Sequence, residues 1–186
     1  MVHFILFVCM FPWQLHWVAA QGGACRMESV VQCRRDAWGF ELTVVPEDRL
    51  SEWPILQRIA RSVATVRADQ ALLVLRIRWI NRTRHELIVD PTAFWLWIHE
   101  ERPIGPLQWE DLMGILDAPD LPQTEDGRWL QTHTMVAPVY LPARSYTDRF
   151  VLFRLPTEGW TRCMLQIDPI WVGQEDRRFR LFCKKR

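Results

Sequence analysis

The sequence predicts an all-β fold, a β-sandwich with a short helix near residue 55 and a long loop at 100–135. Three patterns carry this expectation. In "ALLVLRIRWI", Leu73, Leu75, Ile77 and Trp79 fall on one face while Arg76 and Arg78 fall on the other, the period of a half-buried strand. Short β-type runs recur along the chain, separated by Pro, Gly or charged clusters, as in sandwiches. Between residues 51 and 66 the spacing changes: Ile55, Ile59 and Val63 recur every four residues, as on one face of a helix.

The elements follow in order. "WGFELTVVP", 38–46, reads as a first strand stopped by Pro46. In "SEWPILQRIARSVATV", Ser51 can cap, Pro54 suits a first helical turn, and the helix should end before Arg67. "ELIVD" and "AFWLWIH" are two short strands split at Asp90-Pro91. Residues 100–135 then break the pattern with four prolines and with Glu100, Glu101, Glu110, Asp111, Asp117, Asp120, Glu125 and Asp126. Only "LQWEDLMGIL" there suggests a turn or two of helix. A long loop is the natural place for function, so residues 103 to 128 are expected to be the region most tolerant of deletion for folding and least tolerant for partner binding. Strands resume in "TMVAPVYLP", "SYTDRFVLFRLP", "WTRCMLQIDPIWV" and "RRFRLFCKKR".

With 186 residues the chain suits one domain with a sizeable core. A formal charge of +1 argues against nucleic acid as a partner. The first twenty residues, "MVHFILFVCMFPWQLHWVAA", hold an apolar run followed by the small-residue end Val18-Ala19-Ala20. That reads as a secretory signal, with a retained N-terminal anchor and membrane association as the alternative. The chain divides into 1–20, signal peptide or anchor; 21–37, an N-terminal segment; and 38–186, the sandwich. The expected location is periplasmic or extracellular. "QGGAC" invites lipidation at Cys25, but Gly22 stands where a lipobox wants an aliphatic residue.

Beyond the leader the cysteines are Cys25, Cys33, Cys163 and Cys183, which in an exported chain suggest disulfides with three connectivities. If the last two strands form a hairpin around Gly173, Cys163 and Cys183 lie equally far from its centre and face each other. Cys25 and Cys33 then remain as a local pair.

The order of pieces has a familiar look: a strand closing on Asn in "LRIRWINRT", then "ELIVDPTAFWL", a variable loop, and "YLPARSYTDRFVLFRLP". This resembles the immunoglobulin-like domains of unknown function found in bacterial exported proteins and lipoproteins. Asn81, Asp90, Pro91, Phe94, Leu96, Pro142, Phe153 and Pro156 occupy that pattern's marks, and Ala143 stands where it has glycine. The resemblance spans roughly residues 70 to 182. It implies an immunoglobulin-like sandwich and carries over no catalytic residues.

Trp95 and Trp97 should share the face opposite Phe94 and Leu96. Two exposed indoles on a sheet would suit a protein partner or the apolar face of a sugar. The plainer alternative is that the 100–135 segment covers them, adding Trp109 and Trp129 to a second small core. His99, Met113, His133 and Met135 offer the soft and imidazole donors that copper takes, but single His residues near strand ends are mostly surface residues. The carboxylate pairs Glu100-Glu101 and Glu110-Asp111 read as a solvated loop. No G-x-S-x-G occurs, so a hydrolase nucleophile is poorly supported and an enzyme ranks third among the readings. Asn81-Arg82-Thr83 matches a glycosylation sequon, and Asn81 is expected instead to serve a tight turn in the left-handed conformation.

The sequence therefore points to a non-enzymatic, cofactor-free binding or accessory module of the cell envelope with a protein partner. A small-ligand site, sugar on Trp95/Trp97 or copper on the His/Met set, is the alternative. For the leader, mass spectrometry of the native protein should find an N-terminus near Gln21. A chain starting at Met1 in the cytosol would refute export.

Overall fold

The computed structural model describes residues 30–34, 38–98, 103–160 and 162–184. The leader, Cys25, His99, Glu100 and Glu101 lie outside them. In chain order the elements are β1 (Val30–Arg34), β2 (Trp38–Val45), α1 (Pro54–Val66), β3 (Gln70–Asn81), β4 (Leu87–Val89) and β5 (Phe94–Trp97). After these come β6 (Pro103–Ile104), α2 (Trp109–Leu116), α3 (Glu125–His133), β7 (Val139–Leu141), β8 (Ser145–Pro156), β9 (Arg162–Val172) and β10 (Glu175–Lys184). The protein is mostly β, in two sheets, with a few helices.

The first sheet has the order β1-β2-β3-β8, all antiparallel. Its spine is β3, which pairs with β8 from Gln70↔Pro156 to Asn81↔Ser145. In the second sheet β9 pairs with β10 along one edge. The other edge of β9 is shared, by β5 at Met164–Ile167 and by β4 at Ile170–Val172. β6 and β7 extend the sheet from β5 and β4.

The two sheets share a core. Phe40, Leu42, Leu75, Ile77, Trp79, Val151 and Phe153 of the first sheet belong to one buried cluster with Leu87, Phe94, Leu96, Leu165, Ile167 and Ile170 of the second. Trp79 and Phe94 meet across it edge to face, with centroids 6.3 Å apart. The alternation expected in β3 holds on this face. What strict alternation missed is that the opposite face is also buried at one end. Val45, Val74, Phe150 and Leu152 form a second cluster with Leu50, Leu56, Ile59, Val63, Leu107, Leu112, Leu121 and Leu130. Farther along that face the strands turn polar: Arg78 reaches Asp148 at 3.3 Å and Glu41 at 3.9 Å, and Arg76 reaches Asp148 at 3.2 Å.

Helix α1 runs where its spacing placed it and buries Ile55, Leu56, Ile59 and Val63. Its N-cap is Trp53, not Ser51, whose hydroxyl donates to the Asp48 carbonyl in the preceding 3-10 turn. The 100–135 segment is not a loop. Gln108 and Asp111 make a capping box that starts α2, and the Thr124 hydroxyl accepts from the Gly127 N–H to start α3. Leu107, Leu112, Leu121 and Leu130 bury this segment in the second core, so it is needed for folding rather than dispensable. Helix α3 escaped notice because its sequence, EDGRWLQTH, is polar and holds a glycine. That glycine has a steric reason: a Cβ on Gly127 would lie 1.8 Å from the Leu121 carbonyl oxygen.

Asn81 is buried at the end of β3, 1% exposed, and in the strand conformation rather than a left-handed turn. Its Nδ2 donates toward the carbonyls of His85 (2.9 Å), Leu141 (3.0 Å) and Pro142 (3.0 Å). Its Oδ1 accepts from the Thr83 N–H (3.0 Å) and hydroxyl (2.7 Å). The left-handed residue of the β7–β8 turn is Arg144, with φ 57°, one position beyond the glycine of the resembled pattern.

The last hairpin turns on two residues, Gly173-Gln174, since Val172 pairs with Glu175; Gly173 takes φ 62°. Beyond Ile170↔Arg177 the register shifts, and Ile167 pairs with Phe179. Asp168 and Pro169 thus face the single residue Arg178, a bulge on β9. It brings Cys163 opposite Cys183, where an unbulged two-residue hairpin would set Lys184.

Two predictions follow from this packing. Gly127→Ala should cost about 2 kcal/mol or more, because the obstacle is backbone. Gly114→Ala in α2, where no atom lies within 4 Å of the added Cβ, should stabilise by about 1 kcal/mol. Urea denaturation of both variants distinguishes the two effects, and equal responses would show that the α3 contact is not as described. Asn81→Asp would set a carboxylate against three carbonyl oxygens, so its folded-state pKa would lie above the unfolded value. A raised folded pKa contributes stability at low pH that is lost as pH rises, so Asn81→Asp should be less damaging at pH about 4.5 than at about 7.5. Asn81→Ala, which cannot titrate, should lose about 2–3 kcal/mol at both.

Candidate functional site

The candidate surface is the outer face of the second sheet, built from residues that alternate with the shared core. On β5, Phe94 and Leu96 point inward, so Trp95 and Trp97 point out. Directly opposed residues share a face, so Trp95 sits beside Gln166 and Trp97 beside Met164 of β9. At the other end, Ile88 of β4 lies between Tyr140 of β7 and Trp171 of β9. Among the described residues, three aromatic side chains are exposed on this face: Trp95 at 37%, Trp171 at 42% and Tyr140 at 61%.

The expected pair is not symmetrical. Trp95 is exposed, whereas Trp97 is half-buried, and its Nε1 is buried without a partner among the described residues. The chain after β6 lies against the Trp95 indole, since a Cβ on Gly105 would be 3.9 Å from the ring. Between the two ends lie Gln166 and Asp168, whose side chains approach at 3.4 Å. The bulge at Asp168-Pro169 falls where β5 hands over to β4 along the edge of β9. Opposite it on that side is the 3-10 turn Pro91–Ala93, capped by Asp90, whose carboxylate accepts from the Thr92 N–H and hydroxyl.

Trp171 and Tyr140 were not singled out from sequence. Counting inward from Cys163, Leu165 and Ile167 in steps of two places residue 171 in the core. The extra residue of the bulge reverses the phase, so that Ile170 points in and Trp171 out.

Trp109 and Trp129 sit elsewhere, against the second core on the far side of the first sheet. Trp129 is stacked between Phe150 (6.0 Å) and His133 (4.5 Å). His133 Nδ1 lies 2.9 Å from the Trp129 carbonyl, which only an N–H can meet. The segment thus forms a second core with Trp109 and Trp129, while its start, at β6 and Gly105, lies beside Trp97 and Trp95. The His/Met set is not brought together. Met135 is 2% exposed in the inter-sheet core, while Met113 packs on the helical side of the first sheet. Among the described residues no group of three His, Cys, Asp or Glu could hold a metal ion.

Among the described residues, one charge stands half-buried on an inner sheet face. Arg149 occupies the inner face of β8 beside Ile77. Its guanidinium is held below its ordinary pKa by desolvation, partly offset by Asp148. Its Nε is buried without a partner among the described residues, while NH1 donates to the Asp148 carbonyl.

No family model matches the sequence, and no curated protein does. Among solved structures, the chain is similar to a provisionally assigned lipoprotein, ycdA, of Bacillus subtilis, with 13% identity and a TM-score of 0.45 over 84% of this chain. It spans only 38% of that protein's length. The yjhA protein of Bacillus subtilis matches with 10% identity and a TM-score of 0.45, over 84% of this chain and 96% of its own. A functionally unknown protein of Listeria monocytogenes matches with 8% identity and a TM-score of 0.43, over 87% of this chain and 85% of its own. Likenesses at these identities and scores say nothing of ligand or activity.

Proposed function

We propose that this chain is a non-enzymatic binding module of the bacterial cell envelope, an exported immunoglobulin-like β-sandwich that holds a protein partner on the outer face of its second sheet. The observation that carries the reading is the exposure of Trp95, Trp171 and Tyr140 on one face of a sheet whose other face is core. Large aromatics are the usual anchors of protein contacts, because they bury much area with few rotatable bonds. Rigid placement adds to this: each aromatic stands on a strand held by the shared core, so little ordering is left for binding to impose. The sandwich reading is supported by the two sheets whose inner faces interdigitate. Export is supported by the leader's composition and by the four cysteines beyond it.

A carbohydrate is the second reading. Gln166 and Asp168, set between Trp95 and Trp171, offer hydrogen bonds to hydroxyls in a way that a purely apolar contact would not need. Copper has less behind it, because the two methionines belong to different cores.

The test is capture from an envelope extract by the mature protein, with the double variant Trp95→Ala/Trp171→Ala beside it. Tyr146→Ala, on the outer face of the first sheet and 71% exposed, is the control. The expected outcome is one envelope protein held by the wild type and the control, with affinity for the double variant down about tenfold or more. Undiminished capture by the double variant would overturn the assignment of the face. Retention on cell-wall polysaccharide with no protein captured would favour the second reading.

A further inference from the structure

The bulge on β9 carries an inference that goes beyond the binding role and does not depend on it. Cys163 is 5% exposed, lies in the inter-sheet core beside Leu165 and Ile167, and is disulfide-bonded. The backbone register names its partner, because Cys183 is the residue directly opposite. That pairing depends on the bulge: if Asp168 and Pro169 were each paired in a regular ladder, the two-residue turn would bring Lys184 to Cys163.

We propose that the Cys163–Cys183 disulfide is a clamp on the second sheet, in the register that the β9 bulge allows. Its position gives the bond its consequence. Below the bulge, Met164–Ile167 of β9 is the stretch that seats β5, with Trp97 at Met164 and Trp95 at Gln166. On its other edge the same stretch pairs with Phe179–Phe182, immediately before Cys183. The clamp therefore fixes the strand pair that carries Trp95, while Trp171, above the bulge, is held independently by β4. A dithiol reductant would open it by thiol–disulfide exchange. The S–S bond breaks, both cysteines gain a proton and an electron, and the dithiol becomes a disulfide. The end of β10 then loses its covalent tie to β9 and keeps its ladder pairing.

The test uses the full chain folded under oxidising conditions. Non-reducing peptide mapping should give one linked peptide pair holding Cys163 and Cys183. Hydrogen exchange, with and without a dithiol, should show protection falling about tenfold or more in 164–167, 94–97 and 179–184 on reduction, with 170–172 and the first sheet little changed. Cys183→Ser in the full-length chain should reproduce the reduced exchange pattern. Free thiols at both positions, a link from Cys163 to Cys25 or Cys33, or exchange unchanged by reduction would each overturn the proposal.

Discussion

One buried side chain holds the two sheets to each other at their polar end. Asn81 closes β3, the spine of the first sheet, yet its amide is spent on the carbonyls of His85, Leu141 and Pro142. His85 belongs to the turn leading into β4, and Leu141-Pro142 to the end of β7, both of the second sheet. An amide is the one short side chain that can both donate to those carbonyls and accept from Thr83. An alanine would leave the carbonyls and the Thr83 N–H in a dry environment, and an aspartate would face acceptor with acceptor. The tight turn at residues 82–85 follows from this network, since the Thr83 hydroxyl lies within reach of both the Asn81 Oδ1 (2.7 Å) and the His85 carbonyl (2.8 Å) and accepts from the His85 N–H (3.1 Å). The position of β4, and with it Ile88 on the aromatic face, depends on the turn.

From that anchor the core builds outward along β3. Its inner residues Leu75, Ile77 and Trp79 meet the second sheet, and its outer residue Val74 meets the helices. This strand is therefore buried twice near its start and once near its end, where Arg76 and Arg78 take over the outer face. The packing is not free of cost. Trp79 is fully buried and its Nε1 lacks a partner among the described residues, a penalty of about 1–3 kcal/mol. Large aromatic contacts offset it, with Phe40 at 5.2 Å and Phe94 at 6.3 Å. Arg149 in the same layer carries a similar cost, met in part by its bond to the Asp148 carbonyl.

How far the fold could be read from the sequence follows from these contacts. The inner face of β3, the α1 stripe and the alternation of β5 were legible because each is a run with one unbroken period. The second core was not. Its contributors Leu107, Leu112, Leu121 and Leu130 are spread over a proline-broken, acidic stretch, and each helix there is too short to show a period of its own. The acids that suggested a loop are helix-starting residues in part: Asp111 closes a capping box, and Glu125 and Asp126 occupy the first turn of α3. Asn81 was legible as a marked residue but not in its role, because a side chain bridging to residues 60 positions away leaves no local signal.

The aromatic face shows the same limit from a single residue. Read with a period of two from Cys163, the run "CMLQIDPIWV" puts Trp171 inside and offers only Trp95 and Trp97 to solvent. One extra residue at Asp168-Pro169 changes both outcomes at once: it turns Trp171 outward and brings Cys183 into line with Cys163. The hydrophobic pattern of β10 demands the same shift. With the bulge, Phe179 and Leu181 fall opposite the buried Ile167 and Leu165; without it, they would fall opposite Asp168 and Gln166 on the outer side. An irregularity that satisfies the core, the cysteine pair and the exposed indole together is a specified feature of the strand. It also explains why Trp171 and the rest of the exposed aromatic face escaped the sequence while the core did not. The core needs only that apolar residues point inward on each side of the bulge, whereas the face depends on knowing where the phase changes.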